Sequence, residues 1–370
     1  MNFPPTMQAA HARVAAVRPN EYARTRNFLD GAVTGLSPYL THGFLALPEV
    51  LAALRDENEI SDQHKLVYEF AWREYFQHVW GHAGEGIFSS MQTGVLPDAS
   101  YAAELPADIR EGRTGVPVID MAVRELYATG WLHNHARMWL ASYCVHLRKV
   151  HWRAGADWLY AHLLDGDLAS NHLSWQWVAG TASHKPYLFN AENVARYAPA
   201  PWHSPGTAID TSYEALDRIA RSAGSVEVAG GQAVSEPELF TEPPPGVIDA
   251  ELTGAELFPS QEVWLVHPWA LGEPPVGVRC IGIFFAEFHR RWPWSAQRWR
   301  FVTTRMAELC ERVLWCESTP VPSHARSLAN PHALPWLQHA QCEPVPKLFV
   351  EPSTRSASFS QFWTRVNRRG

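Results

Sequence analysis

From residue 41 to residue 164 the apolar side chains recur three and four positions apart, and β-branched runs bounded by turns are scarce. That spacing gathers apolar groups on one helical face and leaves little for a sheet to pair. The pattern predicts helices over residues 41–55, 66–80, 119–129, 133–150 and 157–164, with Gly130 separating the third from the fourth. Residues 1–221 are expected to form an all-helical domain. The stretch DGDLASNHLSWQW, residues 165–177, departs from the pattern. It has neither helical spacing nor strict alternation. A solvated loop would account for Asp165 and Asp167, but not for Trp175 and Trp177.

Residues 222–260 hold Gly-Gly and Pro-Pro-Pro, and from Ser222 to Val278 there are nine acids and no Lys or Arg. This composition predicts an acidic linker or a loosely packed crossing segment. From Arg279 onward there are thirteen Lys and Arg against six acids. Strands are expected over 262–271, 280–288, 312–318 and 347–352, with helices over 295–311 and from Phe359 to the end. Residues 261–370 are thus expected to form a small α/β domain with a partly parallel sheet. Neither GxGxxG nor GxxxxGK[ST] occurs in it, so a nucleotide site there has no support.

No apolar run is long enough for a transmembrane helix, and MNFPPTMQAAHARV is not a secretory leader. Five cysteines without a CxxC pair fit reduced thiols in a cytoplasmic protein and argue against zinc or iron–sulfur ligation. No metal is expected. The net charge of −7 is uneven, and residues 1–221, with eighteen Lys and Arg against twenty-three acids, lack the usual footprint of a nucleic-acid binder, although a basic rim around a pocket is compatible with that. Seventeen tryptophans raise the question of aromatic ligands or electron transfer.

Three groups could carry chemistry. Glu69, Trp72 and Arg73 share one helix face, either as an ion pair beside a core tryptophan or as a functional face. Asn134, Arg137 and Met138 repeat that spacing, on a face that is neither plain core nor plain surface. Thr34 and Ser37 stand before a helix start with Pro38 suited to its first turn, as caps or as anion ligands. His133, His135 and His146 lack a metal-binding spacing.

In order, the segments YARTRNFLDGAVTGLSPYLTHG, EFAWREYFQH, RTGVPVIDMAVRELYATGWLHNHARMWLAS and DGDLASNHLSWQWVAG resemble the flavin-binding helical domain of the photolyase/cryptochrome family. The resemblance runs unbroken over about residues 20–200. It implies FAD held in a U shape, with its phosphates on Thr34, Gly35, Leu36 and Ser37 and with Tyr22 and Arg73 nearby. It implies an Arg137–Asp165 pair beside the isoalloxazine, Asp167 at the flavin edge or ribose, and Asn171 facing the reactive ring nitrogen. It further implies UV-damaged DNA, duplex or single-stranded, as the partner. A flipped cyclobutane pyrimidine dimer would meet Glu69, Trp72, Asn134, Met138 and Trp177, with Glu69 bonding and protonating it. Flavin reduction would draw on Trp175, then Trp152, then Tyr101, which stands in the region of the family's outer tryptophan. The implied activity is that of a light-driven lyase.

The chain departs from the family pattern in several places. The resemblance begins near residue 20, so the family's antenna-binding α/β domain is expected to be missing before the helical segment, and an α/β domain is expected after it instead. TASHKPYLFN replaces a longer stretch, and His135 stands where many dimer-repair members have arginine. The alternatives are a blue-light receptor that binds FAD without repair and an enzyme for the (6-4) photoproduct. An antenna pigment or a protein partner is left open.

Overall fold

The computed structural model describes residues 1–183, 185–228, 230–245, 262–317 and 321–367. The helical part opens with α1 (Met7–Ala15), α2 (Pro19–Thr25), α3 (Ser37–Thr41), α4 (Leu47–Glu57) and α5 (Lys65–Ala83). It continues with α6 (Ala107–Arg110), α7 (Pro117–Thr129), α8 (Asn134–Ser142), α9 (Trp152–His162), α10 (Leu168–Ala179), α11 (Ala191–Tyr197) and α12 (Tyr213–Arg221).

Three differences from the pattern have physical causes. The stretch 41–55 is two elements, because α3 stops at Thr41 and Pro48 starts the first turn of α4. The stretch 133–150 also divides. α8 gives way after Ser142 to a wider π turn over Tyr143–Leu147. The aperiodic stretch contains α10, a full helix. It is buried on nearly every side, so no apolar stripe marks it, and its start is fixed by Asp167, whose carboxylate caps the Ser170 N–H at 2.7 Å.

Where it is described, the acidic segment is mostly exposed and is tied to the helical domain at a few points. Val226 N–H donates to Leu147 O (3.0 Å) and Val234 N–H to Glu111 O (2.8 Å). Glu236 accepts from Trp158 Nε1 at 3.0 Å and pairs with Arg110. β1 (Leu239–Phe240) ends the crossing; residues 246–261 lie outside the described residues.

The C-terminal domain follows as β2 (Val263–Val266), β3 (Arg279–Phe285), α13 (Ala286–Arg291), β4 (Trp294–Ser295), α14 (Ala296–Leu309), β5 (Arg312–Cys316), β6 (Ala325–Ala329), β7 (Gln341–Pro344) and α15 (Phe359–Asn367). β1 pairs antiparallel with β4. The other strands form a sheet in the order β5-β3-β2-β6-β7, with every pair parallel. The expected strand at 347–352 is not one: the Leu348 and Phe349 N–H groups go to the Glu74 carboxylate on α5 instead. β6 and β7 carry Arg, Ser, Gln and Glu, which is why no apolar pattern announced them.

Winding reverses between β2 and β6, the place where open parallel sheets usually bind ligands beyond their carboxyl ends. Here the helical domain fills that crevice. After β2, Pro268 O lies 2.6 Å from His42 Nδ1, and after β6, His332 Nε2 accepts from Leu168 N–H at 3.2 Å. One apolar core accordingly runs from Phe3 and Leu173 into Val263, Phe284 and Leu337, while a second lies within the helical domain.

Candidate functional site

The charged face is assembled where α3, α5, α8 and the start of α10 meet. Arg137 on α8 donates from one Nη to both oxygens of Asp165, at 2.9 and 2.8 Å, and from Nε to Leu132 O at 2.9 Å. Asp165 is buried and Arg137 partly so. Arg73 on α5 donates to Thr41 Oγ1 at 3.2 Å, and that hydroxyl lies 3.3 Å from Asp165 O. Gln77, one turn further along α5, donates to Asp167 Oδ2 at 2.8 Å. Burial alone would push the Asp167 carboxyl up. The Arg73 guanidinium and the Ser170 bonds outweigh it and hold the group below its ordinary value.

His332 is not an ion-pair partner of Asp167, although its Nε2 lies 3.9 Å away. Its Nδ1–H donates to Asn330 Oδ1 at 2.9 Å, and its Nε2 accepts from Leu168 N–H. Burial pushes its pKa down to about 3, so the ring is neutral. Asn171 is buried on α10 and donates from Nδ2 to Ala156 O at 2.8 Å, which fixes the orientation of its amide.

The donors fit a cofactor bearing phosphates and an electron-rich ring. Arg73 and Arg137 are only partly buried, although the Asp165 carboxylate that Arg137 holds is buried, so the face is open to a ligand. Ser37 and Thr34 border the same region from α3, but neither caps it. Ser37 is its first residue and accepts from Trp131 Nε1 at 3.2 Å, and Thr34 Oγ1 accepts from Leu36 N–H at 3.4 Å.

Residues 66–200 match the model for the FAD binding domain of DNA photolyase. That matched segment of the helical domain belongs to the photolyase/cryptochrome family. Its cofactor is FAD. A cryptochrome DASH of Idiomarina loihiensis is 33% identical over 54% of this chain and 46% of its own length. A deoxyribodipyrimidine photo-lyase of Streptomyces griseus is 36% identical over 41% of this chain and 33% of its own length. The chain therefore spans less than half the length of either relative. A Synechocystis cryptochrome structure aligns with TM-score 0.47 and 28% identity, covering 53% of this chain and 44% of that one.

The photolyase/cryptochrome match contains Glu69, Trp72, Arg73, Tyr101, Asn134, Arg137, Met138, Trp152, Asp165, Asp167, Asn171, Trp175 and Trp177; Tyr22 and Thr34 to Ser37 precede it. Glu69 does not pair with Arg73 along the helix. It pairs with Lys65 Nζ at 2.9 Å and with Arg26 Nε at 3.3 Å. Tyr22 lies beside this pair, and burial and the Glu69 charge raise its hydroxyl well above the ordinary value. Asn134 is exposed and its Nδ2 lies 3.5 Å from Met138 Sδ, as the helical spacing requires. His135 packs against Tyr197 and Trp139, and burial and Arg26 push it down to about 4, so it is neutral at pH 7.

Trp72 and Trp177, on neighbouring helices, line one cavity of about 440 Å³ together with Phe76, Leu173, Arg355 and Phe359. Trp177 is 37% exposed. Trp72 is not free: Phe359 of α15 stacks on it with centroids 3.9 Å apart and planes 7° apart. Trp175 is buried against Gly155 of α9, where a Cβ would come within 2.3 Å of the indole. Trp152 donates from Nε1 to Ser90 Oγ at 3.0 Å. Its ring lies 5.7 Å from that of His151, which lies 6.3 Å from Tyr101.

Sequence reasoning missed Arg26, Thr41, Gln77 and His332. The first three stand within the segments quoted for the resemblance, at positions with no helical partner to mark them. His332 reaches the site only through the docking of the second domain. His78, His82 and Glu351 also cluster within ligand distance, but not as a metal site. His78 Nε2 accepts from Ser356 N–H at 3.0 Å, so its Nδ1 carries the proton given to Glu351 and has no lone pair for a metal. No helix among the described residues is long and apolar enough to cross a membrane.

Proposed function

We propose that this chain is a light-driven DNA-repair flavoprotein that splits cyclobutane pyrimidine dimers. The observation that carries this reading is the pairing of two sites on the same two helices. α5 supplies Arg73 and Gln77 to the flavin face and Trp72 to the aromatic cavity; α10 supplies Asn171 to one and Trp177 to the other. FAD held in its reduced form at this face would supply light-driven one-electron chemistry with no net redox change.

The residues do the rest. Trp72 and Trp177 offer apolar walls to a base pair turned out of the duplex. Glu69, held by Arg26 and Lys65, presents carboxylate oxygen to a pyrimidine N–H. Asn134 and Met138 on α8 are the further side chains assigned to the turned-out pair in this reading. Arg137 and Arg73 supply positive charge beside an electron-rich flavin. Trp175, Trp152 and Tyr101 offer a route for reducing it.

The test is binding of a dimer-containing oligonucleotide against an undamaged one, for the wild type and Trp177→Ala. A preference for damage that Trp177→Ala loses is expected, by about 1–3 kcal/mol. Equal binding of both oligonucleotides by the wild type would refute the reading. A blue-light receptor without repair is the second reading, and one observation favours it: Phe359 already covers a face of Trp72.

A further inference from the structure

Arg298 stands on α14, yet it is fully buried and reaches the helical domain. One Nη donates to Gly166 O at 2.6 Å, and the other lies 3.5 Å from Tyr160 O. The guanidinium lies over the rings of Trp294 and Tyr160, 4.1 and 4.8 Å from their centroids. Gly166 separates Asp165 from Asp167, and a Cβ there would come within 2.5 Å of the Arg298 Nη. No described carboxylate hydrogen-bonds to this cation, and its Nε has no partner among the described residues. A charge removed from water needs compensation. Asp165 and Asp167 are the acids whose charge reaches it.

His332 makes the matching contact one residue further on. Gly166 C=O is held by Arg298 and Leu168 N–H by His332, so the backbone groups on both sides of Asp167 are gripped from the α/β domain. We propose that Arg298 is a positioning residue of the flavin site. It fixes the Asp165–Asp167 loop through the Gly166 carbonyl and places a positive charge behind the two carboxylates. The α/β domain is then part of the cofactor site rather than a separate output module. This rests on FAD binding at the face described above.

The experiment compares full-length wild type, R298M, R298K and H332L, each checked for folding by circular dichroism. The readouts are FAD affinity of the apoprotein and flavin midpoint potential. R298M is expected to bind FAD about tenfold more weakly or worse, the loss expected from deleting a charged hydrogen bond. Its potential is expected to shift to lower values, because removing a nearby cation disfavours adding an electron. R298K is expected to restore the potential, since it keeps the charge, and only part of the affinity. A folded R298M with wild-type affinity and potential would overturn the proposal. If R298M does not fold, H332L decides: weakened FAD binding supports the grip on the loop, and wild-type binding overturns it. A wild type that takes up no FAD would instead overturn the flavin reading itself.

Discussion

Asp167 loses its hydration on folding and gains Gln77, Ser170 and the field of Arg73. Its carboxyl is therefore held below the value it has unfolded, near 3.9. A group of that kind stabilises the fold above its unfolded pKa, and the contribution is lost as pH falls through the folded one. Asp167→Asn is predicted to flatten the acid limb of a stability-versus-pH curve measured in urea; an unchanged limb would contradict this. Gly155 is fixed by shape, because any side chain meets the Trp175 indole. Gly155→Ala is predicted to cost about 1–3 kcal/mol by overpacking. A loss within experimental error would mean the contact is looser than described. Asn171→Asp gives up the bond to Ala156, worth about 1 kcal/mol, and is predicted to change flavin photoreduction. Unaltered photoreduction would remove Asn171 from the flavin.

Among the elements, α5 does the most positioning, and its second face is covered by the chain's end. Glu74 takes the Leu348 and Phe349 N–H groups, His78 joins Glu351 and Ser356, and Trp72 and Tyr68 pack on Phe359 and Trp363. Burial raises the Glu74 pKa to about 7. A carboxyl raised on folding favours the folded arrangement below its unfolded pKa, and that preference is lost as pH rises through about 7. Hydrogen exchange at Leu348 and Phe349, corrected for intrinsic rate, is predicted to accelerate from about pH 4.3, the unfolded value, up to about 7 and to level off above it. Glu74→Gln should abolish the dependence; persistence in that variant would exclude Glu74 as its source. Amphipathic helices such as α7 were legible because one face is wet. α10 was not, because it is wet on almost none. Glu69 with Trp72 and Asn134 with Met138 could be paired from spacing alone, whereas the partners Arg26 for Glu69 and Gln77 for Asp167 are set by packing between elements, which no local pattern encodes.

Over the whole molecule, the two domains share a core, and α14 and the loops after β2 and β6 reach His42 and the backbone around Asp165 and Asp167. Thermal unfolding is predicted to follow one cooperative transition by calorimetry. Two separated transitions would mean that the domains are energetically independent. The acidic first three-quarters and the basic remainder lie in one body, so net charge alone says little about a DNA-facing surface. The most direct measurement is repair itself. The flavin-loaded protein is reduced without oxygen and illuminated with an oligonucleotide carrying one cyclobutane thymine dimer, beside a dark control and a (6-4) substrate, and the products are separated by chromatography. Light-dependent return of the thymines is predicted, slowed at saturating light in Glu69→Ala with FAD retained. A yellow protein that photoreduces and leaves the dimer intact would contradict the repair reading.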